Sequence, residues 1–391
     1  MATKSTAHKA GELEAIRGLA ACAVVCGHFF GSFSQPTSLT GLPAHLYTML
    51  FSGSPAVVVF FVLSGIVLPL SFFRSGGDSN VIAVAALNRF PRLAFLIFLT
   101  TMGSYLVAAL GWNFSSAAAE ISGSSWFASY GYPHATGTFQ PDLKTALWQG
   151  SFGTLLQNTS DFNVSLWTMH HELYGSFISF ALALVFFRAS SRVVCVVAIM
   201  AVIALQFTAW RLTPFVVGTA LSAYLFRNPG FALGQIFSIA LIAIGFILYR
   251  FHIGNAASWP TAYWPWGSDD QKAWLIYTLA GLCLIMGVVG NKTVRRVMNA
   301  RWLVSIGRHS FAMYAAHMML MSSLASFVFI HVTPMGKMAA LIITTIMFAA
   351  ALAVASYTLT RLDEWWTRFM RVKIEAALSL SSTSPTAHAG R

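Results

Sequence analysis

Glu12-Leu-Glu-Ala-Ile-Arg-Gly-Leu-Ala-Ala-Cys-Ala-Val-Val-Cys-Gly-His28 starts charged, turns apolar, and carries two further ionisable side chains, Arg17 and His28. It reads as a helix entering a membrane. Arg17 and His28 are eleven positions apart, which at about 100° per residue returns to within roughly 20° of the same face, with a rise of roughly 16 Å. A cation near one membrane surface is then in line with an imidazole deep in the bilayer. Burying such groups in hydrocarbon is costly, so the pair is expected to face a protein interior or a polar cavity. Taken singly, each residue has a plainer reading. Arg17 is then a snorkelling end-anchor and His28 a core histidine bonded to a neighbouring carbonyl.

The rest of the chain has the same character. Of its 391 residues, 57% are hydrophobic and 9% charged, which excludes a soluble class. Apolar runs long enough to cross a bilayer recur from end to end, and no soluble domain is left over. The expected fold is an all-α membrane bundle of about ten transmembrane helices. Their expected bounds are roughly 13–34, 55–73, 92–110, 166–187, 193–210, 213–226, 231–249, 273–290, 303–330 and 338–360. Segments 1–12 and 366–391 are expected to be cytoplasmic tails around a membrane domain at 13–365. The first helix is read as uncleaved, because a signal-peptide cut would remove Arg17 and His28.

A net charge of +12 would suggest nucleic acid in a soluble chain. Here the distribution explains it: of the 24 Lys and Arg, only Lys144, Arg211, Arg250, Lys272 and Lys337 fall on one side of the expected spans. That asymmetry is the positive-inside rule, which puts both termini in the cytoplasm and makes a nucleic-acid partner unnecessary. Cys22, Cys26, Cys195 and Cys283 lie within spans with no zinc spacing. They read as small buried residues, and no metal is expected.

Ser64-Gly65 in the second span allow close helix packing, and Pro69 frees a backbone carbonyl that the bundle must satisfy. Arg89 and Arg92, at i and i+3 around Pro91, share a face if the backbone is helical, with a helix start favoured there. The loops 35–54, 111–165 and 250–272 are expected outside. The first is irregular, the second (Trp112, Trp126, His134) is able to cap a cavity, and the third (Trp259, Trp264, Trp266) forms an aromatic belt. Glu172, in Leu166-Trp-Thr-Met-His-His-Glu172, is an acid within a span, a functional hypothesis by default whose alternative is a structural hydrogen bond. Ser310, Tyr314 and His317 follow at i, i+4 and i+7 as a polar stripe. Arg295 and its basic neighbours at 292–301 read as a topology anchor.

These stretches, in this order, resemble the acyltransferase 3 family of integral membrane acyltransferases. The matches are the arginine–ten residues–histidine pattern at Arg17 and His28, with an acid ahead at Glu14; Phe60-Phe-Val-Leu-Ser-Gly65; Arg89 and Arg92; Trp167 to Glu172; and Ile306 to His317. Two positions depart from the family pattern. Val58 stands where many members have an acid, and Phe95 where many have proline.

The resemblance implies an O-acyltransferase that takes an acyl group, most often acetyl, from acyl-CoA. The acceptor it implies is a hydroxyl of a glycan, a lipid-linked precursor or another small molecule. It implies His28 as base, helped by Arg17 and by Glu172, the nearest carboxylate by depth, which would fix the histidine's tautomer. Arg89 and Arg92 suit the phosphates of the donor, and Ser64, Trp167, Ser310, Tyr314 and His317 are candidates for substrate contact. The expected location is a bacterial cytoplasmic membrane. The rival reading is a secondary transporter, in which Arg17, His28, Glu172 and His317 form a proton relay and substrate site.

Overall fold

The computed structural model describes residues 11–34, 47, 50–128, 141–250 and 267–382. His134, the tryptophans at 259, 264 and 266, most of 35–49, and both chain ends lie outside the described residues. Among those described, every element is helical and there is no strand. The main helices are α1 (Gly11–Phe33), α2 (Gly53–Val67), α3 (Leu70–Arg74), α4 (Ser79–Leu87), α5 (Arg89–Ala109) and α6 (Trp167–Arg188). They continue with α7 (Ser191–Thr208), α8 (Thr213–Arg227), α9 (Gln235–Tyr249), α10 (Asp269–Gly290), α11 (Arg301–Leu320) and α12 (Lys337–Ser382).

Local chemistry sets the helix starts. Ser268 and Gln271 form a reciprocal capping box at α10, Ser190 caps α7, and Asp78 caps α4 through the Asn80 amide at 2.9 Å. Pro214 occupies the first turn of α8, where its missing N–H costs nothing.

Among the described residues, eight helical segments are long and apolar enough to cross a membrane. Helices α8 and α9, at the expected sixth and seventh spans, have 15 residues each. At 1.5 Å per residue that is about 22 Å, short of a core of about 30 Å. The expected third span begins earlier than its apolar run: α4 and α5 form one crossing segment, Ser79–Ala109. Arg89 therefore lies ten residues inside that segment rather than at its edge, and Pro91 sits in the first turn of α5, as its chemistry favours. The last helix runs unbroken past the expected end at 360 to Ser382. The 111–165 loop also contains the short helices Ser115–Ser122, Ser125–Ala128, Leu143–Trp148 and Thr154–Gln157.

The hub is α2, which packs against α1, α6, α8 and α10. It has no polar stripe because protein surrounds it on nearly all sides. Its crossing with α8 is made by glycines: a Cβ on Gly65 would lie 2.4 Å from the Phe215 carbonyl oxygen, and one on Gly218 would lie 2.2 Å from that of Val62. Pro69 cannot donate to the Gly65 carbonyl, and Thr219 Oγ1 supplies that bond at 3.2 Å. Ser222 Oγ donates to the next carbonyl, Ile66, at 2.8 Å. The carbonyl released by the proline is thus satisfied within the bundle.

The second crossing joins α1 to α11. A Cβ on Gly307 would lie 1.9 Å from the Glu14 carbonyl oxygen, and one on Gly18 would lie 2.6 Å from the Gly307 nitrogen. Gly307→Ala must therefore push the two backbones apart, an overpacking cost of roughly 1–3 kcal/mol. Purified variant in detergent should unfold at a lower temperature than wild type. An unchanged unfolding temperature would refute this crossing. Farther along, Glu12 pairs with Arg295 at 3.2 Å and accepts from Asn299 at 2.9 Å. Arg295 is thereby a tether for the start of α1.

Candidate active site

The α1–α11 crossing brings two histidines together. His28, near the end of α1, places Nδ1 2.8 Å from His317 Nε2, and the rings stack with centroids 5.1 Å apart. His317 is fully buried, and its Nδ1 lies 2.6 Å from the Tyr314 carbonyl oxygen. A carbonyl only accepts, so His317 Nδ1 carries the proton and its Nε2 is the acceptor in the neutral ring. His28 Nδ1 must then donate, which leaves the lone pair of neutral His28 on Nε2. The chain of partners sets the tautomer of both rings.

Tyr314 is itself fixed. Its hydroxyl donates to the Ser165 carbonyl at 2.7 Å and accepts from Thr168 Oγ1 at 3.1 Å. Asn163 Nδ2 donates to the Ala315 carbonyl at 2.8 Å, and Asn163 Oδ1 accepts from Ser165 Oγ at 2.7 Å. The start of α6 is thus bonded along the α11 backbone that carries His317. Ser310, Tyr314 and His317 are all buried, as the spacing of the stripe implies, and Tyr314 and His317 face partners in the protein rather than open space.

Glu172 is held elsewhere. Its carboxylate forms a buried ion pair with Arg89 and accepts from Ser64 Oγ at 2.7 Å. Ser176 completes the cluster, accepting from Arg89 Nε and donating to the Glu172 carbonyl. The expectation that Glu172 sets the tautomer of His28 is therefore corrected: the Nδ1 partner is His317. The physical reason is neighbourhood. α1 packs chiefly on α11 and α2, whereas α6 packs on α8, α2 and α5, so equal depth did not mean contact.

The two arginines also separate. Arg89 is 7% exposed and neutralised by Glu172, while Arg92 is exposed. Arg17 pairs with Glu14 at 3.4 Å, both half-buried, and Arg17 and Arg92 lie close enough to Arg89 to act on it electrostatically. Trp167 joins an aromatic group with His171, Trp210 and Trp274, and Arg211 lies over Trp210 at 4.3 Å and over Trp167 at 5.8 Å. Asn163, Thr168 and Ser176, whose polarity is ordinary, carried no sequence signal, whereas Trp126, on the loop read as able to cap a cavity, has its ring centroid 5.5 Å from that of His28.

Against this geometry stands one family comparison: the profile described as an acyltransferase domain, that of the acyltransferase 3 family, matches residues 11–360. The chain belongs to the acyltransferase 3 family. No curated protein and no solved structure matches the chain at a significant level. As an acyltransferase 3 member it is an integral membrane acyltransferase that moves groups other than aminoacyl groups, and its family implies an acyl donor. Membership selects an enzyme over a transporter.

Proposed function

We propose that the protein transfers an acyl group, most simply acetyl, from cytoplasmic acyl-CoA to a hydroxyl of a glycan, a glycolipid or another small acceptor in a bacterial cytoplasmic membrane. The observation that carries this reading is the His28–His317 pair, in which the partners set an Nε2 lone pair on His28. That nitrogen takes the proton of the acceptor hydroxyl as its oxygen attacks the thioester carbonyl carbon. The C–S bond then breaks, and the leaving thiolate takes the proton back from the imidazolium as free CoA. His317 acts through His28 by holding its ring and tautomer. Ser64, Arg89 and Glu172 form a fixed polar cluster beside α2, with Arg89 held by Glu172.

Arg17 and Arg92 are the cations for the donor's phosphates. Arg17 lies on the face of α1 that carries His28, roughly 16 Å away along the axis, a length that an extended pantetheine arm covers. Both termini are cytoplasmic in this scheme. It holds whether α8 and α9 both cross, giving ten spans, or neither does, giving eight, since either count is even. The Lys and Arg asymmetry supports that orientation.

Acetyl-CoA supplied to inside-out membrane vesicles should label an acceptor, and the same donor outside sealed right-side-out vesicles should not. Arg92→Ala should raise the KM for acetyl-CoA about tenfold or more, as expected for losing a charge-assisted bond. Arg92→Lys should recover only part, because a point charge does not reproduce the guanidinium fork. An unchanged donor KM in Arg92→Ala, or equal labelling in both vesicle types, would contradict the assignment.

A further inference from the structure

Arg211 stands apart from the other buried and half-buried arginines. Arg17 pairs with Glu14, Arg89 with Glu172, and Arg227 donates to the Phe186 and Ala189 carbonyls. Arg211 is half-buried as well, yet its Nε is buried without a hydrogen-bond partner. Among the described residues its guanidinium donates to no acceptor. Asp270 acts on it electrostatically but forms no ion pair with it. Desolvated donors that stay unmet are costly, so they call for an acceptor that the chain itself does not hold.

The side chain is nonetheless firmly placed. Its guanidinium lies over Trp210 at 4.3 Å and over Trp167 at 5.8 Å. Trp274 stands edge-on to Trp210 with centroids 5.4 Å apart, and its Nε1 donates to the Arg211 carbonyl at 3.3 Å. Stacking on indole fixes the plane of the guanidinium and leaves its N–H edge, the fork that matches two oxygens of a phosphate or a carboxylate. Depth chooses between those anions. Arg211 lies in the short helical turn Trp210–Leu212, between the end of the crossing segment Ser191–Thr208 and the start of α8. Span ends flanked by tryptophan sit at headgroup level, where the oxyanion at hand is a lipid phosphate. The cluster adjoins the histidine pair without sharing a residue with it. Trp167 stands between Ser165 and Thr168, which hold the Tyr314 hydroxyl.

We propose that Arg211, seated on Trp210 and Trp167, binds the phosphate group of a membrane lipid. That phosphate belongs either to a bilayer phospholipid or to a lipid-linked acceptor, and the choice of probe separates the two. Binding at Arg211 does not depend on the role of His28.

Native mass spectrometry of the whole protein in detergent reads the site. Phosphatidylglycerol and farnesyl phosphate, a short lipid-linked phosphate, are titrated, with diacylglycerol and farnesol as their phosphate-free controls. At least one phosphate should be retained as an adduct at concentrations where its control is not, and the one held more tightly names the source. Arg211→Gln should weaken that adduct about tenfold or more, the scale of losing charge-assisted bonds. Arg211→Lys should fall between the two, because a point charge does not reproduce the fork. Arg188→Gln, which removes an exposed arginine at the far end of α6, should leave the adduct unchanged. If Arg211→Gln does not fold, wild type against Arg211→Lys decides. Three results would each overturn the proposal: no phosphate retained above its control, wild-type retention by the deciding Arg211 variant, or an equal loss in Arg188→Gln.

Discussion

His28→Ala should lower acyl transfer by about 10² to 10⁴, the usual cost of losing a general base, while expression and stability in detergent stay near wild type. The expectation follows from the tautomer chain: the Tyr314 carbonyl sets His317, His317 sets His28, and the lone pair falls on Nε2. His317→Ala should lose much of the same factor, because the two rings work as one unit, and the double variant should lose little more than His28→Ala alone. His317→Gln is the informative substitution. Its side-chain oxygen accepts from His28 Nδ1 as the imidazole does, so it should retain more activity than His317→Ala. Additive losses, or Gln and Ala variants of equal activity, would remove His317 from the base's support.

The second large effect is on stability. Arg89 and Glu172 form a buried pair with Ser64 and Ser176 around it, and removing one partner leaves the other's charge unpaired in a low-dielectric interior. Such single losses cost roughly 3–5 kcal/mol. Glu172→Gln and Arg89→Met should each unfold at clearly lower temperature in detergent, and the double variant should recover most of the loss, since a well-packed neutral pair replaces the ionic one. Unfolding curves of the three variants check this. Wild-type stability in Glu172→Gln, together with lost transfer, would instead give the carboxylate a chemical role.

Much of this was legible in the chain because membrane burial makes polar residues conspicuous. The interval from Arg17 to His28, the Ser310–Tyr314–His317 stripe and Glu172 all stood out against apolar surroundings. The carbonyl freed by Pro69 was also foreseeable, although Thr219 as its donor was not. What single-sequence reading lacked was adjacency. Helical depth put Glu172 level with His28, but the Gly18–Gly307 crossing makes α11 the neighbour of α1, so the imidazole meets His317 from 289 positions away. Arg89 and Arg92 looked like a pair because i and i+3 share a helix face. The helix does run through both, but Arg89 turns inward to Glu172 while Arg92 stays exposed at the bundle surface. Trp126 stood out only as one of several aromatics on a loop able to cap a cavity, and its place beside His28 came from the fold.

The most direct test of the histidine pair is acceptor-dependent release of CoA thiol from acetyl-CoA by the purified protein in detergent, with wild type, His28→Ala and His317→Gln compared under one protocol. The geometry predicts clear release by wild type, release lower by about 10² or more for His28→Ala, and an intermediate rate for His317→Gln. Release by folded His28→Ala within about threefold of wild type, well short of the loss a missing base brings, would contradict it.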